Sequence, residues 1–158
     1  MFVRTAGERD VEAVRRLLAE TWHATYDGLY GAERVDEITA EWHSAAALKA
    51  RLKRPNAEFL VADDGKQLGG MAFAAADGDV VTLHQLYVLP AFQRQGIGAS
   101  LLIEIEDSFF EAKTLRLEVE DANQPAIAFY LRHGFARTRQ AATIGNLGAI
   151  SVYEKPLG

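Results

Sequence analysis

Cysteine is absent from the sequence. Disulfide scaffolds, thiolate-held zinc and a cysteine nucleophile are therefore excluded. Long apolar runs are missing too, and none approaches the roughly 20 residues of a membrane span. The start, Met1-Phe2-Val3-Arg4-Thr5, lacks the charged region and apolar stretch of a signal peptide. A basic excess is also lacking: 17 Lys+Arg stand against 22 Asp+Glu, a formal net charge of -5. Non-specific grip on nucleic acid needs a basic footprint, so neither nucleic acid nor a membrane is an expected partner. A local basic patch remains compatible with a phosphorylated small molecule. No linker, low-complexity tract or repeat interrupts the chain, so one domain over residues 1–158 and a cytoplasmic location are expected. What is present is globular: 49% hydrophobic and 25% charged residues, in a chain long enough for its own core.

Residues 2–4 read as a short strand. Thr5 and Glu8 have the spacing of a capping box. Val11, Val14, Leu17 and Leu18 then fall at helical spacing, giving a helix to about residue 24. Residues 25–43 are ambiguous, being aromatic, mixed and punctuated by Gly28 and Gly31. Ser44 caps a second helix, stopped by Pro55. Three strands on short turns follow, over residues 58–62, 68–76 and 80–89. Ile97, Leu101, Leu102, Ile105 and Phe109 mark one face of a helix over 97–110. Residues 114–119 form a strand after that crossover, parallel to 80–89. Asn123 caps a helix that has Pro125 in its first turn and ends at Gly134. A hairpin around Gly145-Asn146 joins strands 135–143 and 149–155. The order is β-α-α-β-β-β-α-β-α-β-β, an α/β chain with a mixed sheet and helices on both faces.

The most informative stretch is Leu86-Tyr87-Val88-Leu89-Pro90-Ala91-Phe92-Gln93-Arg94-Gln95-Gly96-Ile97-Gly98-Ala99-Ser100. Pro90 ends the strand because it cannot donate a ladder bond. Gly96 and Gly98 lack Cβ atoms, so backbone can approach a ligand closely. The first N–H groups of the following helix have no internal partner and favour a phosphate. Arg94 adds a guanidinium beside them. The plainer alternative is a strand-to-helix turn that uses glycine only for packing. The dinucleotide G-x-G-x-x-G and the phosphate-loop Gly-Lys-Ser/Thr patterns are both absent.

The run Gln93-x-x-Gly96-x-Gly98 after Leu-Tyr-Val-x-Pro resembles the acyl-CoA signature of the GNAT acetyltransferase superfamily. A second block follows in register: Leu117-Glu118-Val119, then Asn123-x-x-Ala126, Phe129-Tyr130 and Gly134-Phe135. The resemblance implies the GNAT acyl-CoA N-acyltransferase fold, a mostly antiparallel seven-stranded sheet in which strands 80–89 and 114–119 splay apart. It implies acetyl-CoA as co-substrate. The backbone of Leu86, Tyr87 and Val88 would pair with the pantetheine arm. The loop from Gln93 and Arg94 through Gln95, Gly96, Ile97, Gly98 and Ala99 to Ser100 would hold the pyrophosphate. Asn123 and Phe129 would contact the cofactor, and Tyr130 would stand near the thioester sulfur. A homodimer is a family-level expectation.

Acetyl transfer to an amine needs a neutral nitrogen. An amine with a pKa near 10.4 is neutral in only about one molecule in a thousand at pH 7.4. A base or a desolvating site must offset that. Backbone N–H groups at a strand bulge would suit the developing oxyanion. Tyr130 is the acid that the resemblance assigns; packing behind Phe129 is its alternative role. Two residues are candidate bases. His84 lies two residues before Leu86, on the strand face expected to carry Leu86 and Val88. Thr82-Leu83-His84 is similar to the His-x-His segment of arylalkylamine acetyltransferases, with Thr82 in place of the first histidine. Glu118 matches the glutamate base of ribosomal-protein alanine N-acetyltransferases. Either could be structural, and either could act through water. His23, His43 and His133 lack metal-ligand spacing, so no metal is expected.

The acceptor site of the family lies on the first two helices. There Trp22, Tyr26 and Tyr30 accompany Glu33, Asp36, Glu37 and Glu41. Trp22-x-x-x-Tyr26-x-Gly28 is similar to bacterial small-molecule and polyamine-type acetyltransferases. Aromatics beside carboxylates suit a cationic amine; a core tryptophan and a solvated acidic face are the alternative. The leading expectation is an N-acetyltransferase acting on a small-molecule primary amine by direct attack in a ternary complex. A protein N-terminal or lysine acetyltransferase is the near alternative. A non-catalytic acyl-CoA-binding sensor is the alternative of another class.

Overall fold

The computed structural model describes residues 1–141 and 148–158. The expected turn at Gly145-Asn146 lies outside the described residues. The elements run β1 (Phe2–Thr5), α1 (Val11–Tyr30), α2 (Ala32–Trp42), α3 (Ala45–Leu52), β2 (Ala57–Asp63), β3 (Leu68–Asp77), β4 (Val80–Val88), α4 (Ile97–Ser108), β5 (Thr114–Glu120), α5 (Gln124–Arg132), β6 (Ala136–Ala141) and β7 (Ile150–Pro156). The seven strands form one sheet in the order β1-β2-β3-β4-β5-β7-β6. Every neighbouring pair is antiparallel except β4 and β5, which are parallel as the helical crossover requires.

The ambiguous stretch 25–43 is helical. Gly28 sits inside α1, and the break comes at Gly31, whose φ of 85° ends α1 and opens α2. Ser44 caps α3 as its type suggests, its hydroxyl accepting from Ala47 N–H at 3.1 Å. The Thr5/Glu8 capping box does not form. A 3-10 turn at Glu8–Asp10 takes its place, because Asp10 accepts from Gly7 N–H at 2.7 Å and from both terminal nitrogens of Arg4 at 2.9 Å.

The two sheet faces carry separate layers. Ile97, Leu101, Leu102 and Ile105 of α4, with Tyr130 of α5, cover β-strand residues such as Ala72, Val81, Leu115 and Val119. Val14, Leu17 and Leu18 of α1 and Leu48 of α3 cover Phe59, Val61, Met71 and Phe73 on the other face. Leu101 and Leu102 are fully buried; truncating either to alanine costs about 2–5 kcal/mol. A smaller group, Trp22, Tyr26, Val35 and Ile38, fastens α2 to α1. No helix among the described residues is long and apolar enough to cross a membrane.

Candidate active site

Strands β4 and β5 touch through only three register pairs, Val80↔Thr114, Val81↔Leu115 and Thr82↔Arg116. Beyond them the strands part. The departure coincides with a bulge in β4: Ala74 pairs with Leu83 and Phe73 with Gln85, leaving His84 as the extra residue. The bulge resets the side-chain alternation. Leu86 and Val88 pack with the α4 layer, while the His84 ring rests 5.7 Å from that of Phe73, in the α1–α3 layer. The expectation that His84 shares a face with Leu86 and Val88 is thus corrected, since one inserted residue inverts the register of all that follow.

The turn after β4 has the backbone that an anion needs. Arg94 and Gly96 both have positive φ, at 64° and 79°. For Arg94, which has a Cβ, that is an uncommon conformation. Gln93 ties the turn to the strand end by donating to Val88 C=O at 3.1 Å. The first amide of α4 with a backbone acceptor is Ser100, bonded to Gly96 C=O at 3.0 Å. The N–H groups of residues 94–99 have no acceptor among the described residues. Six consecutive free donors at a helix N-terminus form a concave anion site. Gly98 matters through its missing side chain: a Cβ there would meet Cε1 and Cζ of Phe129 at 3.3 Å.

The gap between β4 and β5 is a cavity of about 720 Å³ that runs from this turn to α1. Its wall contains His84, Leu86, Tyr87 and Val88 of β4, Glu118 and Glu120 of β5, and Asn123, Phe129 and Tyr130 at α5. Gln93, Arg94, Gly96, Ile97, Gly98 and Ala99 close one end, and Thr21, Thr25 and Tyr26 the other. The three candidate catalytic residues therefore meet in one space. Gln95 and Ser100 do not line it. Trp22 is 3% exposed and lies behind the wall, its ring 4.6 Å from Tyr26 and 6.0 Å from Trp42. Tyr30 also stands outside the lining, stacked on Tyr26 at 5.5 Å.

Burial, and then the charge of Glu120, pushes the Tyr130 phenol well above its ordinary value. It keeps its proton at neutral pH and sits edge-on to Phe129 and Phe135. Burial first, then the charges of Arg54 and Arg51, lowers His84 below the usual imidazole value. Its ring is therefore a neutral base near pH 7. Glu118 is exposed to the cavity. Asn123 does two things at once. Its Oδ1 accepts from Ala126 N–H at 3.3 Å, the expected cap, and its Nδ2 donates to the Tyr26 hydroxyl at 3.2 Å. That hydroxyl in turn donates to Glu120 Oε2 at 2.7 Å. Glu120 was readable from the sequence only by strand periodicity, which puts it two residues beyond Glu118 on the same face. His133, another lining residue, has Nδ1 2.8 Å from the carbonyl of Phe129.

The sequence profile described as the acetyltransferase (GNAT) family matches residues 11–135. The chain belongs to this family. It is an N-acetyltransferase, and its splayed sheet is the GNAT acyltransferase fold. A spermidine N(1)-acetyltransferase of Thermoplasma acidophilum is 27% identical over 139 residues, covering 84% of this chain and 86% of the relative. An N-alpha-acetyltransferase RimI of Mycobacterium tuberculosis is 34% identical over 96 residues, covering 58% of this chain and 60% of the relative. Among solved structures, the PaiA N-acetyltransferase of Thermoplasma acidophilum in complex with coenzyme A superposes with a TM-score of 0.89, at 25% identity and 98% coverage of both chains. The ribosomal-protein-S18-alanine N-acetyltransferase of Escherichia coli shares the GNAT fold at a TM-score of 0.75, with 20% identity, 99% of this chain and 93% of that one.

Proposed function

We propose that this GNAT enzyme transfers the acetyl group of acetyl-CoA to a primary amine of a small molecule, both substrates being bound together. The observation that carries the reading is one continuous cavity. Its lining joins the turn that carries the free amides, the side chains of Tyr130, His84 and Glu118, and the pair Tyr26 and Glu120.

Acetyl-CoA supplies an acyl group already activated as a thioester. The unpartnered amides fit its pyrophosphate, and the missing Cβ of Gly98 lets Phe129 pack against the turn. Past Thr82 the β5-facing edge of β4 has no strand partner, so Leu86, Tyr87 and Val88 offer backbone groups to an extended amide-bearing arm. Asn123, which also donates to the Tyr26 hydroxyl, would contact the cofactor arm from the N-terminus of α5. A Tyr130 phenol that keeps its proton at neutral pH would supply it to the departing thiolate. His84 or Glu118 takes the proton of the amine, directly or through water. The similarity to a spermidine N(1)-acetyltransferase over most of both chains supports a small cationic acceptor.

A second reading, acetylation of a protein N-terminus, is favoured by Glu118 and by the RimI likeness over residues of the same family. One experiment separates them. Acetyl-CoA binding is measured by calorimetry, with free CoA and a nicotinamide cofactor as controls. Thiol release is then followed with a panel of small amines and with peptides bearing free N-termini. Selective binding with amine-dependent release supports the proposal. Release with peptides alone moves the assignment to a protein acetyltransferase. Binding without release from any acceptor leaves an acyl-CoA sensor, and no binding removes the phosphate reading of the loop.

A further inference from the structure

We propose that Glu120 binds the ammonium group of the acceptor, with Tyr26 and Asn123 as its positioning residues. This rests on the amine reading above.

Alternation along β5 places the residue. Leu117 and Val119 belong to the α4-side core, so Glu118 and Glu120 project from the other face into the cavity. Two residues apart on one strand, they stand on the order of 7 Å from one another along the backbone. Their settings differ. Glu118 is exposed, whereas Glu120 is half-buried and fixed by the chain Asn123 Nδ2 to Tyr26 hydroxyl to Glu120 Oε2, at 3.2 and 2.7 Å. Tyr26 is itself 2% exposed, so the donor cannot swing away without opening the α1–α2 layer. Three separate elements, α1, β5 and α5, converge to hold one carboxylate.

Holding it is only half of the observation. An ionised carboxylate has about four lone-pair sites, and the phenol of Tyr26 occupies one. No lysine, arginine or histidine pairs with Glu120 among the described residues. The neighbouring Arg116 is taken by Glu154 at 2.6 Å. Half-buried in the cavity wall, Glu120 keeps acceptor sites open toward a cation. Its field is felt around the site: after burial, its charge raises the phenols of Tyr130, Tyr87 and Tyr30, and for Tyr26 it follows burial and Tyr87. A bound ammonium supplies the missing cation and donates to the remaining lone pairs. The rival explanation is that the network merely bolts α1 to the end of β5. Glutamine at position 120 separates the two, because its amide oxygen still accepts from Tyr26 while the charge is gone.

The test is binding of spermidine, measured by calorimetry on CoA-saturated protein, in the wild type, Glu120→Gln, Glu120→Asp and Tyr26→Phe. Acetyl-CoA affinity and the melting temperature are recorded for each. Glu120→Gln should weaken spermidine at least tenfold with acetyl-CoA affinity unchanged. Glu120→Asp, which restores the charge, should recover part of the loss, and Tyr26→Phe should lose severalfold. An uncharged diol of matching length should not bind the wild type. This last comparison stands even if a variant at position 120 fails to fold. Equal spermidine affinity in the wild type and Glu120→Gln overturns the proposal, as does a wild type that binds the diol as well as the amine. A wild type that ignores spermidine yet acetylates a neutral arylamine ends the Glu120 role alone and keeps acetyl transfer. A wild type that binds no acetyl-CoA removes both.

Discussion

Arg51 Nη1 lies 3.2 Å from His43 Nδ1, beneath the α1–α2 layer. A guanidinium can only donate, so Nδ1 accepts and the ring proton belongs on Nε2. His43 is 2% exposed, and burial followed by the charge of Arg51 pushes it down to about 4. Unfolded, it would titrate near 6.5. Between those values the unfolded chain binds a proton that the folded chain refuses. Stability is therefore full above pH 6.5 and falls as pH drops toward 4, by about 3 kcal/mol from this residue. Urea midpoints of the wild type and His43→Gln should converge from pH 7 to pH 4.5. Parallel lines would show that the imidazole is not the group responsible.

Tyr130→Phe keeps the ring that packs on Phe129 and Phe135 and removes only the hydroxyl. The expected result is a fall in kcat of about 100-fold, the lower end of general-acid effects. Acetyl-CoA affinity by calorimetry should stay nearly unchanged. Equal losses in both would assign the tyrosine to packing.

Gly98→Glu puts a Cβ against Phe129 and a carboxylate beside the free amides of the turn. Acetyl-CoA affinity should drop more than tenfold, equivalent to about 1.4 kcal/mol or more. Gly98→Ala, which brings the Cβ without the charge, should lose less. If Gly98→Glu binds like the wild type, the turn is a packing device and not a phosphate site.

His84 and Glu118 are separated by pH. A base works only when deprotonated, so activity is present above its pKa and lost as pH falls through it. For His84 that limb lies below the ordinary imidazole value of 6.5, because burial and Arg54 lower it. The kcat/KM profile of the wild type should show this limb. Glu118→Gln should retain it and His84→Gln should abolish it; the opposite pattern would make Glu118 the base.

Much of this architecture can be read from particular residues. Pro90, Gly96 and Gly98 mark the turn, Asn123 and Gly134 bracket α5, and Ser44 opens α3. What escaped has identifiable causes. Gly28 looks like a breaker but lies within a helix whose Trp22 and Tyr26 are buried by tertiary contacts, and packing outweighs propensity there. A strand bulge is expected, but its place at His84 is not legible, since Thr82, His84 and Gln85 interrupt both faces of the strand and alternation alone does not locate the inserted residue. The Thr5/Glu8 pair had the right spacing, yet Arg4 drew Asp10 into the capping role. Glu120 lies outside the Leu117-Glu118-Val119 block, so only alternation along β5 marks it.

The three register pairs that join β4 to β5 have a mechanical consequence. On one side of that short seam lies the antiparallel block β1-β2-β3-β4, and on the other the block β5-β7-β6. Each block is internally laced by its own ladders; between them the lacing stops after Thr82. An extended molecule lying along the open stretch would complete the lacing, stiffening both halves at once. Ligand occupancy and rigidity would then be one variable, readable as slowed amide exchange in strands far from the chemistry. The enzyme would be most fully knit together while it is working.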